Sequence, residues 1–158
     1  MAALCALAFV HFRESPPQRP TASETRARFS PEGKWLTYES DESGHSEIWA
    51  QPFPPNGSKF QISAAGATQV RWRHDGKELY YVSPNGQLMA VPVSAGKSFE
   101  QGAPRELFGG MPSAGIRQSN YQASADGRRF LVALLVGKEG AAAPLIAVVN
   151  GLAGWNGK

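Results

Sequence analysis

An internal repeat constrains this chain more than any other feature of its sequence. Ala27–Ser40 (ARFSPEGKWLTYES), Val70–Ser83 (VRWRHDGKELYYVS) and Tyr121–Leu134 (YQASADGRRFLVAL) share one plan. A short apolar or aromatic strand runs into an acidic-glycine turn, and a second strand follows. The turns carry Glu32-Gly33, Asp75-Gly76 and Asp126-Gly127, with the glycines 43 and 51 residues apart. An acidic residue and a glycine between two apolar runs signal a hairpin, because its turn needs a residue that tolerates positive φ. Gly33, Gly76 and Gly127, with Asp75 and Asp126, are therefore expected to be structural turn residues.

The resemblance between units continues past the turn. Leu36, Leu79 and Phe130 stand three residues after the glycine, and Tyr38, Tyr81 and Val132 stand five after it. Thr37, Tyr80 and Leu131 lie between them, so the second strand is apolar on both faces, as in a sheet covered on both sides. Third strands are expected over Glu47–Phe53, Gln87–Val93 and Pro144–Asn150, and fourth strands over Lys59–Ser63 and Pro104–Phe108. Four short antiparallel strands in each unit of about 40–50 residues is the pattern of a β-propeller blade. The expected fold is all-β: a partial propeller over residues 27–152 with blades at 27–63, 68–108 and 119–150, the third lacking a strand, followed by a tail at 153–158. Composition agrees. With 17 glycines, 12 prolines and only 18% charged residues, turns are plentiful and the charged residues of exposed helices scarce.

Ser30–Leu36 (SPEGKWL) and the R-x-D-G-K-E-L pattern of Arg73–Leu79 resemble the WD-repeat-like blades of TolB-type propellers. EIWAQPFP, RWRHDGKELYYVSPNGQLMAVPV and PLIAVVNGL are more closely similar to the C-terminal blades of bacterial receptor-type serine/threonine kinases with an extracytoplasmic propeller. The resemblance covers about Ala27–Leu152 and implies an extracytoplasmic, periplasmic or membrane-anchored, location. The kinase part is missing from it: the sequence has no glycine-rich phosphate loop, no H-R-D stretch and no D-F-G. Propellers of this kind resemble six or more blades, so three are expected to be a fragment, a remnant gene or a chain whose start was placed late. End blades without neighbours would expose apolar faces and edge strands, so the chain is expected to self-associate, to pair with another propeller fragment or to be only marginally stable.

Met1–Val10 is an unbroken apolar run, continued by His11-Phe12. It falls short of the ~20 residues of a membrane span and lacks the positive residues that lead a signal peptide. A short apolar helix, a weak export signal and the tail of a membrane helix compete here. The juxtamembrane join of the kinases favours the last, with weak membrane association through residues 1–12. Residues 13–26 include ESPPQRPTASETR, a proline-rich linker.

Chemistry is sparse. Cys5 is the sole cysteine, so no internal disulfide and no cysteine-pair zinc site can form. His11, His45 and His74 do not stand with Cys, Asp or Glu at metal-ligand spacing, and no catalytic, cofactor or metal residues are expected. Gly44-His45-Ser46-Glu47-Ile48 begins like a nucleophile elbow but lacks its second glycine and the helix that must follow. Asn56-Gly57-Ser58 has the form of a glycosylation sequon and reads first as a loop. Trp35, Trp49 and Trp72 fall at strand positions and are expected to pack between blades. Arg71 and Arg73 alternate with Trp72 along a strand and, with His45, are the candidate rim contacts. The net charge of +3 is spread out, with no basic run longer than Arg128-Arg129, which argues against nucleic-acid binding. The expected function is non-catalytic binding of a protein or small-molecule ligand, without a cofactor. The alternative is the sensor end of a membrane-anchored kinase, with a propeller-bearing hydrolase behind both.

Overall fold

The computed structural model describes residues 22–111, 120–133 and 146–148. They form three antiparallel sheets. Blade 1 contains β1 (Glu24–Phe29), β2 (Trp35–Ser40), β3 (Glu47–Pro52) and β4 (Phe60–Gln61), in that order. Blade 2 contains β5 (Thr68–Trp72), β6 (Glu78–Val82), β7 (Leu88–Ala95), β8 (Phe99–Gln101) and β9 (Arg105–Phe108). Blade 3 contains β10 (Tyr121–Ala123), β11 (Phe130–Val132) and β12 (Ile146–Val148). The array is a partial β-propeller. No helix among the described residues is long and apolar enough to cross a membrane. Residues 1–12, Cys5, His11, Trp155 and the tail at 153–158 lie outside the described residues.

Strand alternation explains how the blades pack. On β6, Leu79 and Tyr81 turn toward blade 1, while Tyr80 and Val82 turn toward blade 3. Leu79 and Tyr81 join Trp35, Ile48, Ala50, Val70 and Val91 in the first core, where the rings of Trp35, Phe60 and Phe99 meet at 5.1–5.8 Å. Tyr80 and Val82 join Phe108, Tyr121 and Phe130 in the second, with the Tyr80 and Phe130 rings edge to face at 5.1 Å. Burying each such Leu, Ile or Val contributes about 1.5–3 kcal/mol.

Trp35 lies in the first core and Trp72 packs against it, as their strand positions lead one to expect. Trp49 is half-buried on the opposite face of blade 1, where Leu36 and Tyr38 are each only 2% exposed. Phe29, paired with Leu36 on the same face, is 51% exposed. On blade 3, Leu131 turns away from blade 2 and is 40% exposed.

Several strand bounds differ from those expected. β1 begins at Glu24, so Glu24–Arg26 belong to the sheet and not to the linker at 13–26. β4 shrinks to Phe60–Gln61, because Ile62 and Ser63 turn back toward β3 through the Ile62 N–H to Ile48 carbonyl bond at 2.8 Å and the Ile48 N–H to Ser63 Oγ bond at 2.9 Å. The sequence also hid β8. The long strand β7 pairs with β9 over Leu88–Ala90 and with β8 over Val93–Ala95, splitting the fourth position of blade 2 between two short strands.

The three acidic-glycine turns are one structure repeated. Ser30, Arg73 and Ser124 each close a four-residue loop, donating N–H to the carbonyls of Trp35, Glu78 and Arg129 and accepting from the glycine N–H at 2.9–3.0 Å. Gly33, Gly76 and Gly127 have φ of 72°, 72° and 69°, while the acidic residues before them keep negative φ. Asp75 and Asp126 serve differently, each accepting the N–H two residues on at 3.0 Å.

The surroundings of these glycines predict graded costs. A Cβ at Gly33 meets open space, one at Gly76 comes within 3.2 Å of the mobile Glu32 carboxylate, and one at Gly127 collides with Tyr80 Oη and, at 2.7 Å, Arg73 Cδ. Gly33→Ala should cost about 1 kcal/mol from backbone strain alone. Gly127→Ala should cost about 2–4 kcal/mol through added overpacking, with Gly76→Ala between them. Urea melts of the three variants check this order, and equal losses would contradict it.

Candidate functional site

Several of the charged side chains form ties within and between blades. The first tie is Glu39, which is 2% exposed on β2. One of its oxygens accepts from Arg26 Nη1 at 2.6 Å, the other from the backbone N–H of Gln69 on β5 at 2.5 Å. Gln69 continues the chain: its Oε1 accepts the Asn120 N–H at 2.8 Å, and its carbonyl accepts the Tyr121 hydroxyl at 2.8 Å. Arg26 and Gln69 sit at matching β-bulges with positive φ, which leaves the Gln69 N–H turned out of the sheet ladder and in need of a side-chain acceptor.

The second tie surrounds Glu47, which is fully buried on β3. Ser63 Oγ donates to its Oε2, and its Oε1 accepts the Gly66 N–H at 2.8 Å and lies 2.6 Å from His45 Nε2. Ser, Glu and His thus meet, but in an order unsuited to nucleophilic catalysis. The serine bonds to the carboxylate and the histidine to the other oxygen, whereas a relay places the imidazole against the hydroxyl. Together they anchor the segment leading from blade 1 into blade 2.

The third tie binds Arg73. It forms two bonds to Asp75 at 2.7 and 2.8 Å and one to Glu78 at 2.8 Å. Glu78 also accepts from Arg105 at 2.7 Å and from the Tyr80 hydroxyl at 3.1 Å. Hydrogen bonding to Arg73 holds the Asp75 carboxyl down at about 2, and burial, then Glu78, pushes the Tyr80 phenol up to about 12. A shallow depression of about 450 Å³ beside this network is lined by Glu32, Asp75, Lys77 and Ser94.

The candidate rim residues accordingly separate. His45 lies in the β2–β3 turn, at the opposite end of the blades from Arg73, and pairs with Glu47. Arg73 is spent on its own turn. Arg71 alone among the three stands outside these ties. It is half-buried on β5, and its Nε is buried without a hydrogen-bond partner. Burial first, and then the charge of Arg28, lowers its pKa. Arg28, half-buried on β1, occupies the position equivalent to Arg71 in the repeat, and Gln122 takes it on β10. The row belongs to the repeat and carries no motif of its own. No group of three or more His, Cys, Asp or Glu side chains among the described residues could hold a metal ion.

No protein-family model and no curated protein matches the sequence. Among solved structures, the chain is similar to a protein described as a 6-phosphogluconolactonase from Bacteroides uniformis ATCC 8492, at 23% identity and a TM-score of 0.45, covering 71% of this chain and 33% of that one. It is also similar to a protein described in the same way from Bacteroides fragilis NCTC 9343, at 15% identity and a TM-score of 0.44, covering 87% of this chain and 44% of that one. The chain thus spans less than half the length of either protein.

The Arg73 network predicts a change in acid behaviour. A carboxyl depressed in the folded state stabilises the fold above its unfolded pKa and loses that contribution as pH falls through the folded value. In Arg73→Ala, Asp75 should titrate above about 2, moving toward the ordinary 3.8, read by carboxyl carbon NMR. The stability difference between the parent and Asp75→Asn should likewise fade as pH drops from about 4 to about 2. An unchanged Asp75 titration in Arg73→Ala would contradict the assignment.

Proposed function

We propose that this chain is a non-catalytic recognition module, made of propeller blades that bind a protein or small ligand outside the cytoplasm. The observation that carries this reading is unmatched positive charge on the first strands: Arg28 and Arg71 are half-buried and neither forms an ion pair among the described residues, while Glu39, Glu47 and Glu78 are committed to structural ties. Unmatched charge held on a rigid strand frame suits the capture of a ligand more than support of the fold.

The kinship proposed with this reading is to the TolB-type propellers, and within them to the sensor blades of bacterial receptor serine/threonine kinases. Its support is the run of repeat motifs from Ser30 to Leu36 and from Arg73 to Leu79. The genomic frame upstream of Met1 tests it. A kinase domain and a membrane helix in the same frame would support the sensor assignment, and an unrelated frame would oppose it.

Non-catalytic binding is tested by turnover. The purified chain is expected to hydrolyse a panel of esters, lactones and peptides no faster than buffer does. Hydrolysis that rises with protein concentration and is abolished by Ser63→Ala or His45→Gln would overturn the reading.

A further inference from the structure

We propose that Asn56 is a self-modifying site: its side-chain amide becomes a carboxylate through ring closure onto the Gly57 backbone nitrogen, with water as co-reactant. The inference is independent of the recognition reading.

Two Pro-Asn-Gly sequences lie among the described residues, Pro55-Asn56-Gly57 and Pro84-Asn85-Gly86. Both have the residue types that an intramolecular acyl transfer needs, since glycine brings no Cβ to crowd the attacking nitrogen. The fold treats them differently. Asn56, Gly57 and Ser58 are all exposed in the loop between β3 and β4. A Cβ built on Gly57 meets nothing within 4 Å, and the Gly57 N–H donates no hydrogen bond among the described residues. Asn56 Oδ1 accepts the Ser58 N–H at 3.0 Å, which holds the side-chain amide folded along the Gly57 backbone.

Gly86 is held from both sides. It is buried, its N–H donates to the Ser83 carbonyl at 3.0 Å, and its carbonyl accepts the Met111 N–H at 2.8 Å. A Cβ there would lie 2.7 Å from the Met111 carbonyl oxygen. Turning the Gly86 nitrogen onto Asn85 breaks these bonds, whereas the Gly57 nitrogen has none to lose.

The chemistry balances with water alone. Hydroxide removes the Gly57 amide proton, and the nitrogen attacks Asn56 Cγ. Negative charge builds on Oδ1, where the Ser58 N–H already points. The Cγ–Nδ2 bond then breaks, and the nitrogen leaves as ammonia with a proton from water, restoring hydroxide. Water opens the cyclic imide at Cγ to give aspartate, or at the Asn56 main-chain carbonyl to give its β-linked isomer. Either product lowers the net charge of +3 by one. It also sets a carboxylate three residues before Lys59, which pairs with Glu42 at 2.8 Å.

The experiment ages the full chain at mildly alkaline pH, with and without urea, and digests it with trypsin. Peptides 35–59 and 78–97 carry Asn56 and Asn85 separately, and Asn150 and Asn156, outside the described residues, fall in another. Mass spectrometry reads the conversion of amide to acid, and chromatography separates the two isomers. Without urea, Asn56 should react about tenfold or more faster than Asn85, as expected where the slower site must first break backbone hydrogen bonds. In urea the two rates should converge. Gly57→Ala, whose methyl meets open space, should slow Asn56 several-fold and leave Asn85 unchanged. Equal rates at the two sites without urea overturn the site. A difference that urea leaves intact also overturns it, because the cause would then lie outside the fold.

Discussion

A strand buried on both faces needs a neighbour on each side, and the middle strand of this array is such a strand. Every residue of β6 is buried: Leu79 and Tyr81 in one core, Tyr80 and Val82 in the other. Blade 2 is therefore the wall of two cores at once, and blades 1 and 3 are held by what it presents to them. The turns share this dependence. Gly127 fits beneath Tyr80 and Arg73 only because it has no Cβ, so the hairpin of blade 3 is shaped by side chains of blade 2.

Polar groups follow the same geometry. At the bulge of β5 the Gln69 N–H leaves the ladder and is met by the Glu39 carboxylate from blade 1, and Gln69 in turn meets the Asn120 N–H of blade 3. Each bond to a charged group is worth about 1.5–3 kcal/mol, and leaving its buried donor unmet costs a similar amount. The chain of contacts therefore fixes the register of neighbouring blades as well as adding stability. Arg26 completes the charge of Glu39. Among the described residues Arg28 and Arg71, two residues along from these bulge positions, have no such complement, unlike Arg26, Arg73 and Arg105.

Much of the fold was legible in the sequence because a repeat states its plan more than once. The positive φ of Gly33, Gly76 and Gly127 follows from the turn motif, and the apolar faces of β2 and β6 from alternation. β8 was not legible: Phe99–Gln101 is short and polar, and it pairs with the end of a β7 longer than its hydrophobic pattern suggests. The start of β1 at Glu24 was hidden by charged residues, which are tolerated there because Glu39 neutralises Arg26. Arg71 stands out in the sequence through its neighbour Trp72, whereas Arg28, its equivalent in the first unit, has no such marker. Arg73 follows two residues after Arg71, yet its guanidinium turns to Asp75 and Glu78, a choice fixed by turn geometry that no composition reveals.

Coupling between blades through shared cores can be read by native-state amide hydrogen exchange on the parent and on Leu79→Ala. Leu79 is fully buried on the face of blade 2 that meets blade 1, and its truncation should cost about 2–5 kcal/mol. If the blades stand or fall together, the slowest amides of β2 and β3 in blade 1 lose the same free energy of protection as those of β6. Protection lost in blade 2 alone, with β2 and β3 unchanged, would show that blade 1 is stable without its neighbour and would contradict this account.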